Sequence, residues 1–273
     1  MSKEPIYPNL EILPAEKICL HEHHDPQRTL PLMERIRESQ ILYNPPLVIP
    51  VSESGDRFMV LDGANRVTSM KELGLSHILV QIVDPQSTGL QLHTWNHVLW
   101  KIDPEMLLDK IKAMDEISLA PIDQPGFDPQ TLGILEIPEQ PLLSLKTHSP
   151  RMRSEVITRL VEMYTSHARF DRTMIDQINY LDGYYQQLAG LIIYPPFQVA
   201  EVIQFCREEK LLPAGITRFA VSPRALRVNY PLEYLTRDVS LEEKRNLLRA
   251  FIQERLDKKG VRIYTETTVL YDE

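Results

Sequence analysis

The sequence contains few cysteines and no long apolar run. Only 2 of its 273 residues are cysteines, Cys19 and Cys206, and their wide separation without CxxC spacing argues against a disulfide framework and a zinc ribbon. No apolar stretch approaches the roughly 20 residues that a membrane-spanning helix needs. The first residues lack the apolar core of a signal peptide. We therefore expect a cytoplasmic protein with no membrane partner, in which both cysteines pack as small apolar residues.

The chain also has fewer positively charged than negatively charged residues. The chain has 30 Lys and Arg against 38 Asp and Glu, which gives a formal net charge of −8. Broad binding to DNA depends on clustered Lys and Arg that neutralise phosphates, so nucleic acid is not an expected partner. With 43% hydrophobic and 25% charged residues, the composition is that of an ordinary globular protein, and the length suffices for one large domain or two modest ones.

Proline marks more of the turns than glycine does, with 21 prolines against 10 glycines. Asp25 and Pro26 predict the start of a helix, because Asp can cap free N–H groups and Pro tolerates the first helical position. The three-residue steps between Leu30, Met33 and Ile36 predict one buried stripe on that helix. A strand–loop–helix–strand unit follows, with strands at 47–51 and 58–61, a helix at 64–73 and a strand at 78–83.

The second half of the sequence is longer and favours helices. Five are predicted, and the last begins with the capping pair Ser240 and Glu243. Segment 115–150 is rich in proline and is expected to be irregular, whereas the stretch 261–271 is typical of a strand. We expect an α/β (α+β) protein of two lobes, with Trp95 beside their connection. The predicted helices span 104–114, 152–167, 173–188, 197–209 and 241–259, and the lobes are residues 1–90 and 91–273.

The most informative local pattern is the turn that follows the second predicted strand. There Asp62 and Gly63 stand directly before a helix, whose first N–H groups and partial positive charge suit phosphate oxygens. Gly63 lets the backbone approach an anion closely, Arg66 can bind phosphate through two hydrogen bonds, and the Asp62 carboxylate beside a phosphate suits Mg²⁺. A simpler interpretation is that Asp62 only caps the helix and Gly63 only makes the turn.

A family resemblance extends this interpretation. Residues 61–66 read Leu-Asp-Gly-Ala-Asn-Arg before a predicted helix that ends Lys-Glu-Leu-Gly, and upstream stand Leu20-His21-Glu22, Arg28 and Asn44-Pro45-Pro46. These motifs resemble the nucleotide-binding module of the ParB/sulfiredoxin superfamily over roughly residues 10–84. Sulfiredoxins carry a cysteine in the glycine loop, where this chain has Ala64 and Asn65. Chromosome-partitioning ParB proteins carry a Glu-Arg-Arg loop and a helix-turn-helix, and neither is present here.

The chain is most similar to the free L-serine kinases of that superfamily. Trp95 and the late stretch Gly215-Ile216-Thr217-Arg218 resemble segments of these kinases, so the likeness runs nearly the full length. It implies a kinase that transfers phosphate from ATP or ADP, with Mg²⁺, to the hydroxyl of free L-serine or a similar amino acid. It also implies roles for site residues: Glu22 as the base and Asp62 at the metal; Gly63, Ala64, Asn65, Arg66, Thr217 and Arg218 at the nucleotide phosphates; and His21, Arg28 and Trp95 at the substrate.

Two departures from the kinase pattern leave an alternative open. The kinases read Asp-Gly-His-His-Arg where this chain has Ala64 and Asn65, and Thr-Arg-His where it has Phe219. Side chains that donate hydrogen bonds to developing charge can be worth several kcal/mol of barrier. The alternative is therefore a non-catalytic nucleotide- or ligand-binding regulatory protein of ParB-like fold. The choice between ATP and ADP and the presence of a homodimer also stay open.

Overall fold

Alternating short strands and helices make up most of the computed structural model, which describes residues 7–24, 26–52 and 55–264. The strands are β1 Asn9–Pro14, β2 Ile18–Cys19, β3 Ile41–Leu42, β4 Leu47–Pro50, β5 Phe58–Asp62, β6 His77–Ile82, β7 Leu90–Thr94, β8 Asn96–Trp100, β9 Ile117–Ile122, β10 Thr131–Glu136, β11 Leu142–Thr147, β12 Arg169–Thr173, β13 Leu188–Ile193, β14 Thr217–Val221 and β15 Tyr230–Pro231. The helices are α1 Pro26–Ser39, α2 Ala64–Glu72, α3 Pro104–Lys112, α4 Arg153–Thr165, α5 Val199–Arg207, α6 Glu233–Thr236 and α7 Leu241–Asp257.

The first sheet is mixed and has the strand order β1-β6-β4-β5-β2. Its inner strands β4 and β5 pair antiparallel, while β4 with β6 and β2 with β5 run parallel. The sequences LVIP and FMVLD are almost wholly buried, as expected for strands covered on both faces. This sheet confirms the predicted strand–loop–helix–strand unit and places Asp62 at the end of β5, directly before α2.

The second sheet has six antiparallel strands in the order β12-β8-β13-β10-β11-β9 and was not predicted from the sequence. The expectation that 115–150 is irregular is wrong, because β9, β10 and β11 lie there. Pro121 lies in β9, at the edge of the sheet, where a missing N–H is tolerated. The predicted helix at 173–188 is also wrong: a short 3-10 helix at Ile178–Leu181 gives way to a turn at Gly183, which has φ of +78°.

Four helices of the second half lie close to their predicted positions, namely α3, α4, α5 and α7. The capping pair of α7 is confirmed, because the Ser240 side chain accepts from the Glu243 N–H and the Glu243 carboxylate accepts from the Ser240 N–H. The buried stripe predicted on α1 is wrong at Leu30, which is 57% exposed, whereas Ile36 is buried. Asp25 and residues 265–271 of the predicted last strand lie outside the described residues, and 261–264 form no strand.

The apolar core has two large clusters. One contains residues of the first sheet together with Tyr230, Leu235 and Leu248 from the end of the chain. β15 pairs with β3, and the Arg245 Nε on α7 donates to the Glu11 carboxylate at 2.8 Å. The division at residue 90 stays a prediction, but this packing groups the end of the chain with the first lobe. No helix within the described ranges is long and apolar enough to span a bilayer.

The two cysteines are distant in sequence but neighbours in the fold. Cys206 is buried in the other large cluster, and Cys19 packs against that cluster. The Cys19 thiol donates to the Phe58 carbonyl at 3.3 Å. A hydrogen bond from Cys206 lowers the pKa of Cys19 to about 7, although burial acts in the opposite direction. Both cysteines are therefore packed residues, as expected.

Candidate active site

The turn between β5 and α2 is built around a glycine in the left-handed region. Gly63 is the residue before α2 and has φ of +99°. This φ favours glycine, and a Cβ at this position would also lie 3.2 Å from the Arg66 guanidinium, which would have to shift slightly. The N-cap residue Gly63 has no side chain to cap α2. The Asp62 carboxylate binds arginine side chains, which argues against the simpler interpretation in which Asp62 is only a helix cap.

Asp62 instead forms ion pairs with two arginines. Its Oδ2 accepts from the Arg66 Nη2 at 2.7 Å and also contacts the Arg224 Nη2. Arg66 Nη1 donates in addition to the Asn44 carbonyl at 2.7 Å. Burial alone would raise the pKa of Asp62, but the charges of Arg66 and Arg224 outweigh it and hold the pKa below its usual value. Oδ1 of Asp62 has no partner among the residues that the structure describes.

Arg224 was not predicted as a site residue, and its position depends on a segment held against the first sheet. The Gln81 amide donates to the Pro223 carbonyl and accepts from the Ala225 N–H, both at 2.8 Å. The Asn44 Oδ1 accepts from the Arg227 N–H at 2.8 Å. The sequence offers no local signal for this placement, because Arg224 and Asp62 are 162 positions apart.

Glu22 lies across the site and is held by the loop that leads into β14. Its Oε1 accepts from the Thr217 N–H at 2.6 Å and from the Thr217 hydroxyl at 2.5 Å, and its Oε2 accepts from the Gly215 N–H at 2.9 Å. The chain around Glu22 reaches this loop through paired backbone hydrogen bonds with Leu212. Gly215 has φ of +82°, and a Cβ there would lie 2.0 Å from the Arg172 Nε.

His21 is 4% exposed, and both of its ring nitrogens contact protein atoms. Nδ1 lies 2.6 Å from the Val60 carbonyl oxygen, and Nε2 lies 2.7 Å from the Thr217 hydroxyl. The Phe219 ring packs edge-on at 5.5 Å between centroids. Burial lowers the pKa of His21, although the Glu22 charge acts in the opposite direction. A direct substrate contact stays a prediction for His21, and the geometry favours an indirect role.

A buried histidine behind the loop, His97, was also not predicted as a site residue. His97 donates from Nε2 to the Gly215 carbonyl at 3.1 Å, while its Nδ1 contacts the Tyr164 hydroxyl, which in turn lies 3.0 Å from the Tyr194 hydroxyl. Burial lowers the pKa of His97 to about 4, so the ring is neutral near pH 7. This network supports the Gly215 backbone that in turn holds Glu22.

Glu22, His21, Asp62 and Arg224 line one cleft of about 690 Å³, a volume typical of small-molecule sites, whereas His97 lies behind it. The cleft has six arginines and two acidic residues, although the chain as a whole is acidic. The Arg218 guanidinium lies 5.0 Å from the centre of the Trp95 ring. Such a positive lining favours an anionic ligand. Every predicted site residue lines it: His21, Glu22, Arg28, Asp62, Gly63, Ala64, Asn65, Arg66, Trp95, Thr217 and Arg218.

The fold and the cleft together define a mixed α/β protein with an arginine-rich cleft. No family model matches the chain. It is similar to the ATP-dependent L-serine kinase SbnI of Staphylococcus aureus, with 27% identity over 278 residues that cover 98% of this chain and 99% of the relative. It is also similar to an ATP-dependent L-serine kinase of Staphylothermus marinus, with 29% identity over 115 residues, which are 39% of this chain and 45% of the relative.

Solved structures show the same fold. The structure of SbnI with a C-terminal truncation, from Staphylococcus aureus, superposes with a TM-score of 0.73 at 23% identity, covering 91% of this chain and 97% of that one. A free serine kinase in complex with AMP superposes with a TM-score of 0.71 at 16% identity, covering 84% of this chain and 94% of that one. The match over nearly whole chains confirms the predicted α/β fold class.

Proposed function

We propose that this protein is a small-molecule kinase that transfers phosphate from ATP or ADP to the hydroxyl of free L-serine or a similar amino acid. The observation that carries this proposal is the shared cleft, in which the Glu22 carboxylate and the turn at Asp62–Arg66 are lining groups. The near full-length similarity to a curated ATP-dependent L-serine kinase supports the same conclusion. Phosphoryl transfer needs mainly positioning, charge neutralisation and a group that accepts the alcohol proton, and the cleft offers all three.

The phosphate end of the cleft is the turn and the arginines around it. The first N–H groups of α2, at Ala64 and Asn65, lie at the positive end of the helix and suit phosphate oxygens. Arg66 and Arg218 add guanidinium groups. Asp62 would hold Mg²⁺ through its unpartnered Oδ1, since this metal is typically bound by one or two carboxylates and the substrate phosphates. The metal, when bound, supplies positive charge to the phosphates.

The acceptor end contains Glu22, Trp95 and Arg28. A carboxylate has about four acceptor sites, and three of those on Glu22 are taken by Gly215 and Thr217. The remaining site, on Oε2, would accept the substrate hydroxyl. Trp95 is held beside this end because its backbone N–H donates to the Ile216 carbonyl at 2.9 Å. Arg28 is an exposed cation on α1 that suits a carboxylate.

Arg224 supplies side-chain hydrogen-bond donors that the turn between β5 and α2 lacks. Ala64 and Phe219 have no side-chain donor where the serine-kinase pattern has histidines, and Phe219 packs against His21 instead. Arg224 brings a guanidinium to the Asp62 end of the cleft from a distant segment. We therefore favour a working kinase over the alternative of a non-catalytic binding protein.

The direct test mixes the purified protein with Mg²⁺, L-serine and either ATP or ADP. We expect O-phosphoserine in the ³¹P NMR spectrum, together with serine-dependent release of ADP or AMP, and the faster donor identifies the nucleotide. Nucleotide binding without phosphorylation of any hydroxyl amino acid would support the regulatory alternative. No binding at millimolar nucleotide would contradict both functions.

Gly215→Ala should affect activity more than stability. The left-handed φ of this residue makes alanine unfavourable by about 1–2 kcal/mol. The added Cβ also meets the Arg172 guanidinium at 2.0 Å, and this flexible side chain must leave its place in the cleft. We expect a moderate loss in the free energy of unfolding and a larger relative loss in kcat/KM.

Gly74→Ala is the matched control for this substitution. Gly74 has φ of +79°, close to that of Gly215, but a Cβ there meets nothing within 4 Å. Chemical denaturation should therefore show similar losses of stability for both variants, while only Gly215→Ala slows turnover. Equal kcat/KM in the two variants would show that the Gly215 loop and Arg172 have no part in the reaction.

A further inference from the structure

Arg172 is an arginine of the cleft that pairs with no carboxylate within the described ranges. It lies on the edge strand β12, lines the cleft and is exposed to solvent. Among the described residues its guanidinium has one polar contact, a hydrogen bond of 3.4 Å from Nη2 to the Ala214 carbonyl. Because a guanidinium has five N–H donors, most of those on Arg172 are available to a ligand.

The fold places this guanidinium directly against the Gly215 loop. In the antiparallel pair of β12 and β8, Arg172 lies opposite His97, so the two side chains point to the same face of the sheet. His97 donates to the Gly215 carbonyl. Arg172 packs against the α-carbon of the same glycine, where a Cβ would lie 2.0 Å from Nε. The missing side chain of Gly215 therefore makes room for Arg172.

Glu22 is bound to this glycine as well. Its Oε2 accepts from the Gly215 N–H at 2.9 Å and has the open position that would accept the substrate hydroxyl. Standard bond lengths then limit the distance between Arg172 Nε and Glu22 Oε2 to about 8 Å at most. In a β-hydroxy amino acid the hydroxyl and carboxylate oxygens are about 3–4 Å apart, and with a hydrogen bond of about 2.8 Å at each end the molecule bridges a gap of this size.

Three of the other five arginines of the cleft already contact protein side chains. Arg66 and Arg224 bind Asp62, and Arg218 stacks on Trp95. The remaining two lie on α1. Three cations are therefore left for a ligand, one on β12 and two on α1.

Arg28 is the α1 cation to compare with Arg172. It follows the start of α1 and precedes Thr29, whose hydroxyl donates to the Asn65 side chain at 3.3 Å at the first turn of α2. Arg28 thus approaches a ligand from the side of α2, whereas Arg172 approaches it from the Gly215 loop. Of the two, Arg172 is the one that packs against the glycine bound to Glu22.

We propose, on the basis of the kinase function above, that Arg172 binds the α-carboxylate of the amino acid whose hydroxyl faces Glu22. A guanidinium and a carboxylate form two parallel charge-assisted hydrogen bonds, which fix the orientation of the acceptor and add to its affinity. Arg172 is then a specificity-determining residue, and the acceptor class is the β-hydroxy acids. An acceptor with a hydroxyl but no carboxylate, such as the amide of L-serine, loses this contact.

The test combines a change in the protein with a change in the substrate. Arg172→Gln should raise the KM of L-serine by about 10- to 100-fold, because it removes a charge-assisted contact, while the KM of the nucleotide changes little. With the amide of L-serine, the wild-type protein should already show a similar loss, and Arg172→Gln should add less than about threefold. Arg172→Lys keeps the charge but not the planar fork, so its KM should be intermediate.

Arg169→Gln is the matched control, because Arg169 is an exposed arginine on the same strand that does not line the cleft. This variant should keep both KM values. Two results would overturn the proposal. An equal fall in kcat with L-serine and with its amide would show that Arg172 only supports the Gly215 loop. A higher L-serine KM in Arg28→Gln, with no change in Arg172→Gln, would assign the carboxylate to α1.

Calorimetry with a non-hydrolysable nucleotide measures the binding of L-serine without turnover. Arg172→Gln should weaken this binding by about the same factor as it raises the KM. A wild-type protein that binds L-serine through Arg172 but phosphorylates nothing would contradict the kinase function alone. An active wild-type protein whose L-serine KM is unchanged in Arg172→Gln would contradict this inference alone, and a wild-type protein that binds no L-serine would contradict both.

Discussion

Replacing Glu22 with glutamine should lower kcat by about 10²- to 10⁴-fold, the range typical for loss of a general base. The amide has nearly the size of the carboxylate but accepts no proton near neutral pH. Its NH₂ group also replaces one of the two oxygens and so faces either the Gly215 N–H or the Thr217 N–H, both of which the carboxylate now accepts. The initial rate of O-phosphoserine formation measures the effect, and calorimetry of nucleotide binding separates it from loss of affinity.

The matched control is Glu155→Gln, an exposed position on α4 that does not line the cleft. This variant should keep the wild-type rate. A Glu22→Gln protein that binds nucleotide and retains more than about a tenth of the wild-type kcat would remove Glu22 from the role of base. The kinase function would then need another proton acceptor in the cleft.

The phosphate end of the site was predictable because it is local in sequence. Asp62, Gly63 and Arg66 fall within a single strand-to-helix turn, and the strand–helix pattern alone brings them together. The i, i+4 spacing of Asp62 and Arg66 on this turn also gives the ion pair seen in the structure. Glu22 and Thr217 could be identified as site residues only through the family resemblance, because 195 positions separate them in the sequence.

The parts that were missed depend on long-range contacts. Nothing in the local pattern of Arg224 indicates that the Gln81 amide holds its segment beside Asp62. Nothing local marks His97 as a site residue, because its contact with the Gly215 carbonyl forms only when the fold brings β8 next to the Gly215 loop. The second sheet was missed for a related reason: β10 and β11 are apolar runs inside a proline-rich stretch, and proline frequency dominated the interpretation of 115–150.

Arg224→Gln and Asp62→Asn should change the binding of magnesium-free nucleotide in opposite directions. Loss of the Arg224 guanidinium removes charge-assisted donors from the phosphate end, and we expect about 10- to 100-fold weaker binding of ATP in EDTA. Loss of the Asp62 charge removes repulsion of the phosphates and releases the arginines that it now holds, so this variant should bind magnesium-free ATP about two- to tenfold more tightly. Isothermal titration calorimetry measures both constants.

Opposite changes in the affinity for magnesium-free ATP would distinguish phosphate binding by Arg224 from a purely structural ion pair with Asp62. If Arg224 only clamps Asp62, removing either partner breaks the same contact, and both variants should weaken binding. Arg237→Gln, an exposed arginine that stacks on Tyr234 outside the cleft, controls for the general loss of one positive charge. Repeating the titrations with Mg²⁺ should cancel or reverse the advantage of Asp62→Asn, because the variant lacks the carboxylate that would hold the metal. An advantage that persists in magnesium would assign the metal to other groups.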